Sequence, residues 1–487
     1  MTLEDARIFA QKSPKAIAER LYEQNATIES LQKKVHELEK TIAKLSKNSS
    51  NSHKPPSSDD ITKPKSKKKK KKGKRSIGGQ PGHPIHERPP FAKDEINKTY
   101  DYTVTHCPHC SGLVEPMDTQ APKVIQQVEI KEFPIKIEEH ISYPMWCEVC
   151  QKVHYGSFPP TVVKEGLLKE HITVLVAYMK HVCHASFSTI RKYFRDIIKV
   201  NISRGQLAKV IQKVSQSLRV PYEELLNRLP LETTVNVDET GHKENGKRFW
   251  TWVFKAELYV LFKIDKSRGS QVLIEVLGKE FDGALGCDYF SAYQKYMKDF
   301  DVAVQFCLAH LIRDIRYLTN LPDKETNTYG KKLLAEVKAL FKIIHNHEEM
   351  PANDFQVALD NAKQTIMKVV LEEAPSRLDK NGKEEKTEVR NMVNRFKKHG
   401  EAYFTFITTP GMDPTNNVAE QAIRFIVIDR KITQGTRSSK GRTSNERIWT
   451  VIATCALQGR SVYNFFLESV HAYFYDEQAP SLIPAPG

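Results

Sequence analysis

The chain has 487 residues, 40% hydrophobic, 9% aromatic and 27% charged. That mixture builds a sizeable core, so wholesale disorder is excluded, and the length suits about three domains. Lys and Arg number 74 against 59 Asp and Glu. Ten of the cations sit without one anion in residues 63–75, leaving the rest of the chain with +5 of the +15 net charge. A basic arm of that kind predicts a polyanionic partner.

Residues 1–46 form an N-terminal helical segment, and 15–46 carry a heptad. Leu21, Ile28, Val35 and Ile42 recur every seven positions, and Leu31, Leu38 and Leu45 follow the last three of them by three. This a/d pattern predicts a coiled coil and a homo-oligomer formed through it, although Gln24 weakens the first heptad. The alternative is a single amphipathic helix packed on its own protein. Residues 47–95 form a linker with almost no large apolar residues, too poor in burial to offset the entropy of ordering. Its run Lys67, Lys68, Lys69, Lys70, Lys71 and Lys72 suits non-specific DNA phosphate binding with counterion release, or simply a solvated tail. The segment Gly78–His83 lacks the G-x-G-x-x-G spacing of a nucleotide loop.

Residues 96–160 read as short strands, Lys123–Ile130 and Phe133–Ser142, with a Cys-bearing turn on each side. Residues 161–230 are helical. A helix over Phe187–Val200 is followed by one from about Ser203, where Ser203 and Gln206 suit a capping box. With Arg191, Lys192, Arg204 and Lys209 exposed, the pair fits a helix-turn-helix or an ordinary helical hairpin. Residues 231–320 alternate: strands Thr233–Asp238, Phe249–Ala256, Leu258–Ile264, Ala284–Asp288 and Val302–Phe306, with helices over Ser270–Gly278 and 308–319. Residues 321–405 are charged and helical, 406–475 are helical again, and 476–487 form a tail. The order is mixed α/β. No apolar run reaches the roughly 18 residues of a membrane span, and the N-terminus lacks a signal-peptide pattern, so a cytoplasmic location is expected.

Two constellations carry chemistry. Cys107 and Cys110, with Cys147 and Cys150, form two C-x-x-C pairs separated by 36 residues. Four thiolates suit a closed, tetrahedral structural Zn²⁺ site of zinc-ribbon type, with His106, His109 and His154 as competing ligands. The second set is acidic. Asp238 ends one strand, Asp288 ends another, and Glu420 stands near the start of a late helix. Carboxylates converging from strand ends are ligands for hard cations, two Mg²⁺ or Mn²⁺ ions, of the kind that drive phosphodiester chemistry. Each acid also has a local explanation: a turn for Asp238, a helix cap for Asp288, a capping box with Asn417 for Glu420. Glu239 is the neighbour most easily confused with Asp238. Cys307, His310, Arg313 and Asp314 form a third group, read either as a C-x-x-H metal pair or as one helix face. Arg424, Arg430 and Lys431 open a basic stretch suited to phosphates.

These segments together resemble the transposases of the insertion sequence 66 family. The resemblance rests on Gly78–His83, the two C-x-x-C pairs, Val237–Thr240, Cys287–Tyr293, Cys307–Asp314 and Asn416–Arg424 followed by Asp429-Arg430-Lys431, and it spans nearly the whole chain. It implies a multidomain α+β protein: an RNase H-like core bearing a DDE triad at Asp238, Asp288 and Glu420, interrupted by a helical insertion, behind an N-terminal coiled coil, a zinc ribbon and a helical DNA-binding region. The insertion accounts for the 132 positions from Asp288 to Glu420, against 50 from Asp238 to Asp288. The family usually carries Asp and Arg where this chain has Thr415 and Gln421; neither change removes a metal ligand. The activity implied is metal-dependent DNA cleavage at the element's terminal inverted repeats and strand transfer into target DNA, with element-encoded accessory proteins as further partners. The competing class is a zinc-containing, non-enzymatic DNA-binding regulator.

Overall fold

The structure is a computed structural model that describes residues 7, 14–45, 47, 90–100, 102, 106, 109–111, 113, 124–127, 135–147, 149–376, 385 and 387–484. The lysine run 67–72, the Gly78–His83 segment and Cys107 lie outside the described residues. The chain divides into two units, residues 60–139 and the remainder. In the smaller unit, Phe91 and Gln126 exchange two hydrogen bonds, Phe91 N to Oε1 at 2.7 Å and Nε2 to Phe91 O at 3.1 Å. The strands expected over 123–130 and 133–142 are not formed among the described residues. Ile125 and Ile137 are 89% and 84% exposed.

The larger unit opens with α1 (Pro14–Leu45), a helix of 32 residues whose stripe Leu31, Val35, Leu38 and Ile42 is more than half exposed. A short antiparallel hairpin follows, β1 (Pro144–Cys147) and β2 (Lys152–Tyr155), with Met145 opposite His154. Next come α2 (Pro160–Glu165), α3 (Glu170–His181), α4 (Phe187–Tyr193), α5 (Arg204–Ser217) and α6 (Arg219–Arg228). Between α4 and α5 the chain makes a π turn, and Lys199 takes a positive φ of 64°. Ser203 Oγ then accepts from Gln206 N at 3.1 Å and starts α5, the cap that its position predicts. The apolar face of α5 (Leu207, Val210, Ile211, Val214) is buried.

A five-stranded sheet forms the centre. β3 (Thr234–Glu244), β4 (Lys247–Lys255) and β5 (Val260–Asp265) are an antiparallel meander, and β6 (Ala284–Cys287) and β7 (Ala303–Phe306) run parallel to β3, in the order β5-β4-β3-β6-β7. Asn245 and Gly246, both at positive φ, close the β3–β4 turn, the two-residue geometry that Asn-Gly favours. The parallel strands are joined through helices α7 (Gln271–Leu277) before β6, α8 (Ser291–Phe300) between β6 and β7, and α9 (Leu308–Leu318) after β7. The helices α10 (Lys324–His345), α11 (Ala352–Glu372) and α12 (Glu388–His399) then form a layer of their own around Leu333, Val337, Leu340, Ile366 and Val370. Finally α13 (Asn417–Thr433), α14 (Ser439–Leu457) and α15 (Val462–Tyr475) return.

α13 and α14 cover one face of the sheet, burying Ala419, Ile423, Ile426 and Trp449 against Phe249, Val253, Phe262 and Ile264. On the opposite face Trp252 meets Tyr293 of α8 edge to face, centroids 6.0 Å apart. The helices of residues 161–230 pack onto the same returning helices: Arg447 donates to Ser215 O at 3.0 Å, and His471 Nδ1 lies 2.8 Å from Glu170 Oε2.

The free edge of the sheet is closed by side chains. β5 turns the N–H groups of Val260, Phe262 and Ile264 outward, and Thr454 Oγ1 (3.1 Å), Thr450 Oγ1 (3.0 Å) and Glu446 Oε1 (2.6 Å) accept them. Four helix residues rise about 6 Å, close to the roughly 6.7 Å of two strand residues. Three polar side chains spaced by four on α14 therefore match three N–H groups spaced by two on β5. An exposed row of donors would invite strand pairing by another chain, and α14 prevents it.

Candidate active site

β3 alternates faces, so its adjacent acids part company. Asp238 pairs with Val253 and shares the face covered by α13, whereas Glu239 pairs with Trp252 and shares the other. On that other face Glu239, only 8% exposed, accepts from Arg268 Nε at 2.9 Å, from Arg268 Nη2 at 2.7 Å and from the Tyr293 hydroxyl. All its strong partners are fixed, which is the arrangement of a structural carboxylate. Burial and the neighbouring Asp288 still push its pKa to about 7, with Tyr293 and Arg268 pulling the other way.

β6 brings in the second acid. Asn236 lies opposite Gly286 in the parallel register, so the same register carried two residues further sets Asp238 beside Asp288. Asp288 follows the end of β6. β3, however, runs on to Glu244 in its hairpin with β4, so Asp238 lies within its strand and does not end it as expected from sequence. Gly286 has a steric reason: a Cβ there would run into the Asn236 side-chain amide. Asp288 Oδ1 accepts from Phe290 N at 3.0 Å, an Asx turn that leads into α8.

The third acid arrives on α13, whose start is anchored to β3. Asn416, 1% exposed, accepts from Asn236 Nδ2 at 3.0 Å, donates from Nδ2 to Val237 O at 2.8 Å, and donates its backbone N–H to Cys307 Sγ at 3.1 Å. These bonds place Glu420, in the first turn, over the Asp238 face. Burial first, then the charges of Glu239, Asp288 and Glu420, hold the Asp238 carboxyl well above the usual carboxylate range. Asp238 therefore senses both other acids of the set predicted from sequence. The capping box expected for Glu420 does not form. Its carboxylate faces α9, with Arg313 Nη2 3.4 Å from Oε2 and His310 Nδ1 3.6 Å from Oε1. Glu420 Oε1 is buried without a hydrogen bond. Three carboxylates at one sheet end, one lifted by its like-charged neighbours and one with an orphaned oxygen, fit divalent cations bound through oxygen.

His310 and Arg313 are the site residues that sequence reasoning left in a separate group. They lie on one face of α9, three apart, and Arg313 Nη1 also donates to His310 Nε2 at 3.1 Å. The next residue, Asp314, accepts from Arg395 Nη1 of α12 at 2.7 Å, and the Arg395 guanidinium lies 4.4 Å from the ring centre of Tyr289, beside Asp288. The helical layer of α10–α12 thus touches both α9 and the segment that bears Asp288.

The basic candidates divide. Arg424 and Lys431 are exposed on α13. Arg430 is half-buried and donates to Thr240 Oγ1 at 3.0 Å and to Gly241 O, so it ties α13 to β3. Arg204 donates to Ser188 Oγ at 2.7 Å and remains exposed. On the β1–β2 hairpin, backbone N–H groups of Cys150 and Val149 hydrogen-bond to Cys147 Sγ and lower its pKa. Cys150 Sγ lies 3.1 Å from His154 Nε2. Donor atoms of Cys147, Cys150 and His154 fall within 4.8 Å of one another, a spacing that suits a soft metal.

Residues 165–444 match the family described as Transposase IS66 family, a span that holds all three acids and both helical layers. The chain belongs to the IS66 family of transposases. Residues 5–89 also match a family of unknown function, DUF6444, and no curated protein matches the chain. Membership in the transposase family makes DNA binding and a role in transposition the general reading. Among the described residues no helix is long and apolar enough to cross a membrane.

Proposed function

We propose that this chain cuts the DNA ends of its element and joins them to a target, on a core of RNase H-like design with Asp238, Asp288 and Glu420 as its catalytic acids. The observation that carries the reading is electrostatic: Asp238 is lifted by burial beside Glu239, Asp288 and Glu420, the last two of which come from distant parts of the chain. Such crowding of like charge is unfavourable without cations, and active sites are where it is tolerated. The sheet order, a three-stranded meander continued by two parallel strands, agrees with that design.

Asp238, Asp288 and Glu420 would hold two Mg²⁺ or Mn²⁺ ions, which supply Lewis acidity to an attacking oxygen and to the leaving oxygen of a phosphodiester. The chain's own part is to set three carboxylates in place, with Asn416 fixing α13 to β3 and Arg313 restraining Glu420. In the first step water attacks a phosphorus and a 3′-oxygen leaves as a free 3′-OH. In the second that 3′-OH attacks a target phosphorus, one P–O bond forming as another breaks. Arg424, Lys431 and Arg204, with the Lys67–Lys72 arm, would hold DNA phosphates. Arg430 would support from behind, through β3.

Two further parts complete the reading. Cys147 and Cys150, with Cys107 and Cys110, would bind a structural Zn²⁺, for which His154 competes as a ligand. The exposed a/d stripe of α1 would pair two copies so that two DNA ends are handled together. The deciding experiment is a Mg²⁺-dependent nicking assay on DNA carrying the element's ends, comparing the wild-type chain with Asp288→Ala. Cleavage should vanish while DNA retention in a gel shift persists. Cleavage that survives the substitution, or a wild-type chain that only binds, would favour a non-enzymatic regulator.

A further inference from the structure

The active site contains a second donor set that is unlike the first. Ligand atoms of Cys307, His310 and Glu420 lie within 4.8 Å of one another: a sulfur, a ring nitrogen and a carboxylate oxygen. Cys307 is buried, and His310 and Glu420 are largely so, with side chains 12% and 20% exposed. The local backbone repeats an arrangement seen on the β1–β2 hairpin. There Cys147 Sγ receives N–H groups from the residues two and three positions on, Val149 and Cys150. Here the N–H groups of Ala309 and His310, again two and three positions on, approach Cys307 Sγ without closing a cap hydrogen bond, and Asn416 N–H donates to it at 3.1 Å. Burial pushes the Cys307 thiol up to about 11 despite these N–H groups, so a bound metal would have to displace its proton. C-x-x-H presents its sulfur as C-x-x-C does, with the second ligand three residues on.

The geometry points to a site for a borderline metal ion such as Zn²⁺ at Cys307, His310 and Glu420, distinct in chemistry from the all-carboxylate set and sharing Glu420 with it. Thiolate and imidazole select Zn²⁺ or Co²⁺ over Mg²⁺, which prefers oxygen. The 3.6 Å between His310 Nδ1 and Glu420 Oε1 is close to the spacing of two ligands on one tetrahedral ion. Arg313 now fills the cationic role. Its guanidinium only donates, so His310 Nε2 is the acceptor of their 3.1 Å contact and the ring proton sits on Nδ1, facing Glu420. Binding through Nδ1 releases the thiol proton, moves the imidazole proton to Nε2 and turns Arg313 away. Metal and Arg313 are alternatives. A Zn²⁺ that draws Glu420 toward Cys307 and His310 competes with the all-carboxylate set and so inhibits Mg²⁺-dependent cleavage; this last consequence rests on the function proposed above, whereas the binding does not.

The test uses the full-length chain titrated with Co²⁺ in place of Zn²⁺, read by the sulfur-to-cobalt charge-transfer band and by bound equivalents. Cys307→Ser, which keeps an acceptor at the helix cap, should bind one equivalent fewer than wild type. His310→Asn should lose the same equivalent, which covers the case of a poorly folded serine variant. Arg313→Ala should bind that equivalent at least about tenfold more tightly, since a competing charge has gone. In the nicking assay, Zn²⁺ should inhibit wild type, and Cys307→Ser should need roughly tenfold more or beyond. Equal equivalents and an unchanged cobalt band in wild type, Cys307→Ser and His310→Asn would overturn the site. If the cobalt equivalents behave as expected but no chain nicks DNA, the site stands and the cleavage reading falls.

Discussion

The two faces of the central sheet treat adjacent acids in opposite ways. Glu239 sits under the sheet with Arg268 and Tyr293 bound to its oxygens. Asp238 sits above it, where Glu239, Asp288 and Glu420 raise its pKa and Arg313 approaches only Glu420. Both are buried acids whose pKa is raised, so a raised pKa alone does not separate support from chemistry. What separates them is the donor set: two fixed side chains hold Glu239, whereas Asp238 Oδ1 accepts the backbone N–H of Glu239 at 2.8 Å.

The largest effect expected from that contrast is on cleavage. Asp238→Asn should reduce Mg²⁺-dependent nicking on the order of 10³-fold or more, because ligand and charge go together. Its melting temperature should hold or rise, since repulsion with Asp288 and Glu420 is relieved. A variant that melts well below wild type would assign Asp238 a structural role like that of Glu239. Glu446 sharpens the comparison as a third buried acid, raised from 4.5 to about 7 by burial although it accepts from Ile264 N. The folded chain holds a proton there that the unfolded chain releases, so unfolding gains as pH rises from about 4.5 to about 7. Glu446→Gln keeps the acceptor and removes the titration. It should flatten the fall in stability across that window by as much as about 3 kcal/mol, read by denaturant midpoints at several pH values. Glu239→Ala leaves Arg268 and Tyr293 without their acceptor and should cost about 2 kcal/mol, the partly exposed guanidinium limiting the loss. Smallest is Thr450→Val, which removes the acceptor of Phe262 N at the sheet edge and should cost about 1 kcal/mol by the same measurement.

Much of the site could be read from local pattern. Asp288 is legible as a strand-end acid and Glu420 as a residue in the first turn of a helix, because both are local features, whereas the strand end expected at Asp238 lies six residues further on, at Glu244. What sequence could not supply was the approach of α9 to α13. His310 and Arg313 lie more than a hundred positions before Glu420, and only the closure of the intervening helical layer brings them together. Each of the two readings of Cys307–Asp314 keeps an observation: His310 and Arg313 share one face of α9, and ligand atoms of Cys307, His310 and Glu420 lie within 4.8 Å of one another. Arg430 has a related reason: charge alone suggests a phosphate ligand, whereas its contacts with Thr240 and Gly241 depend on how α13 crosses β3. The stripe Glu446, Thr450 and Thr454 has helical spacing in sequence, but its meaning depends on which strand forms the sheet edge.

The most direct test is Mn²⁺ binding to the full-length chain, followed by electron paramagnetic resonance, for wild type, Asp238→Asn and Glu239→Gln. Wild type and Glu239→Gln should bind Mn²⁺, and Asp238→Asn should lose most of that binding. Equal binding by wild type and Asp238→Asn, or loss confined to Glu239→Gln, would contradict a cation site on the Asp238 face.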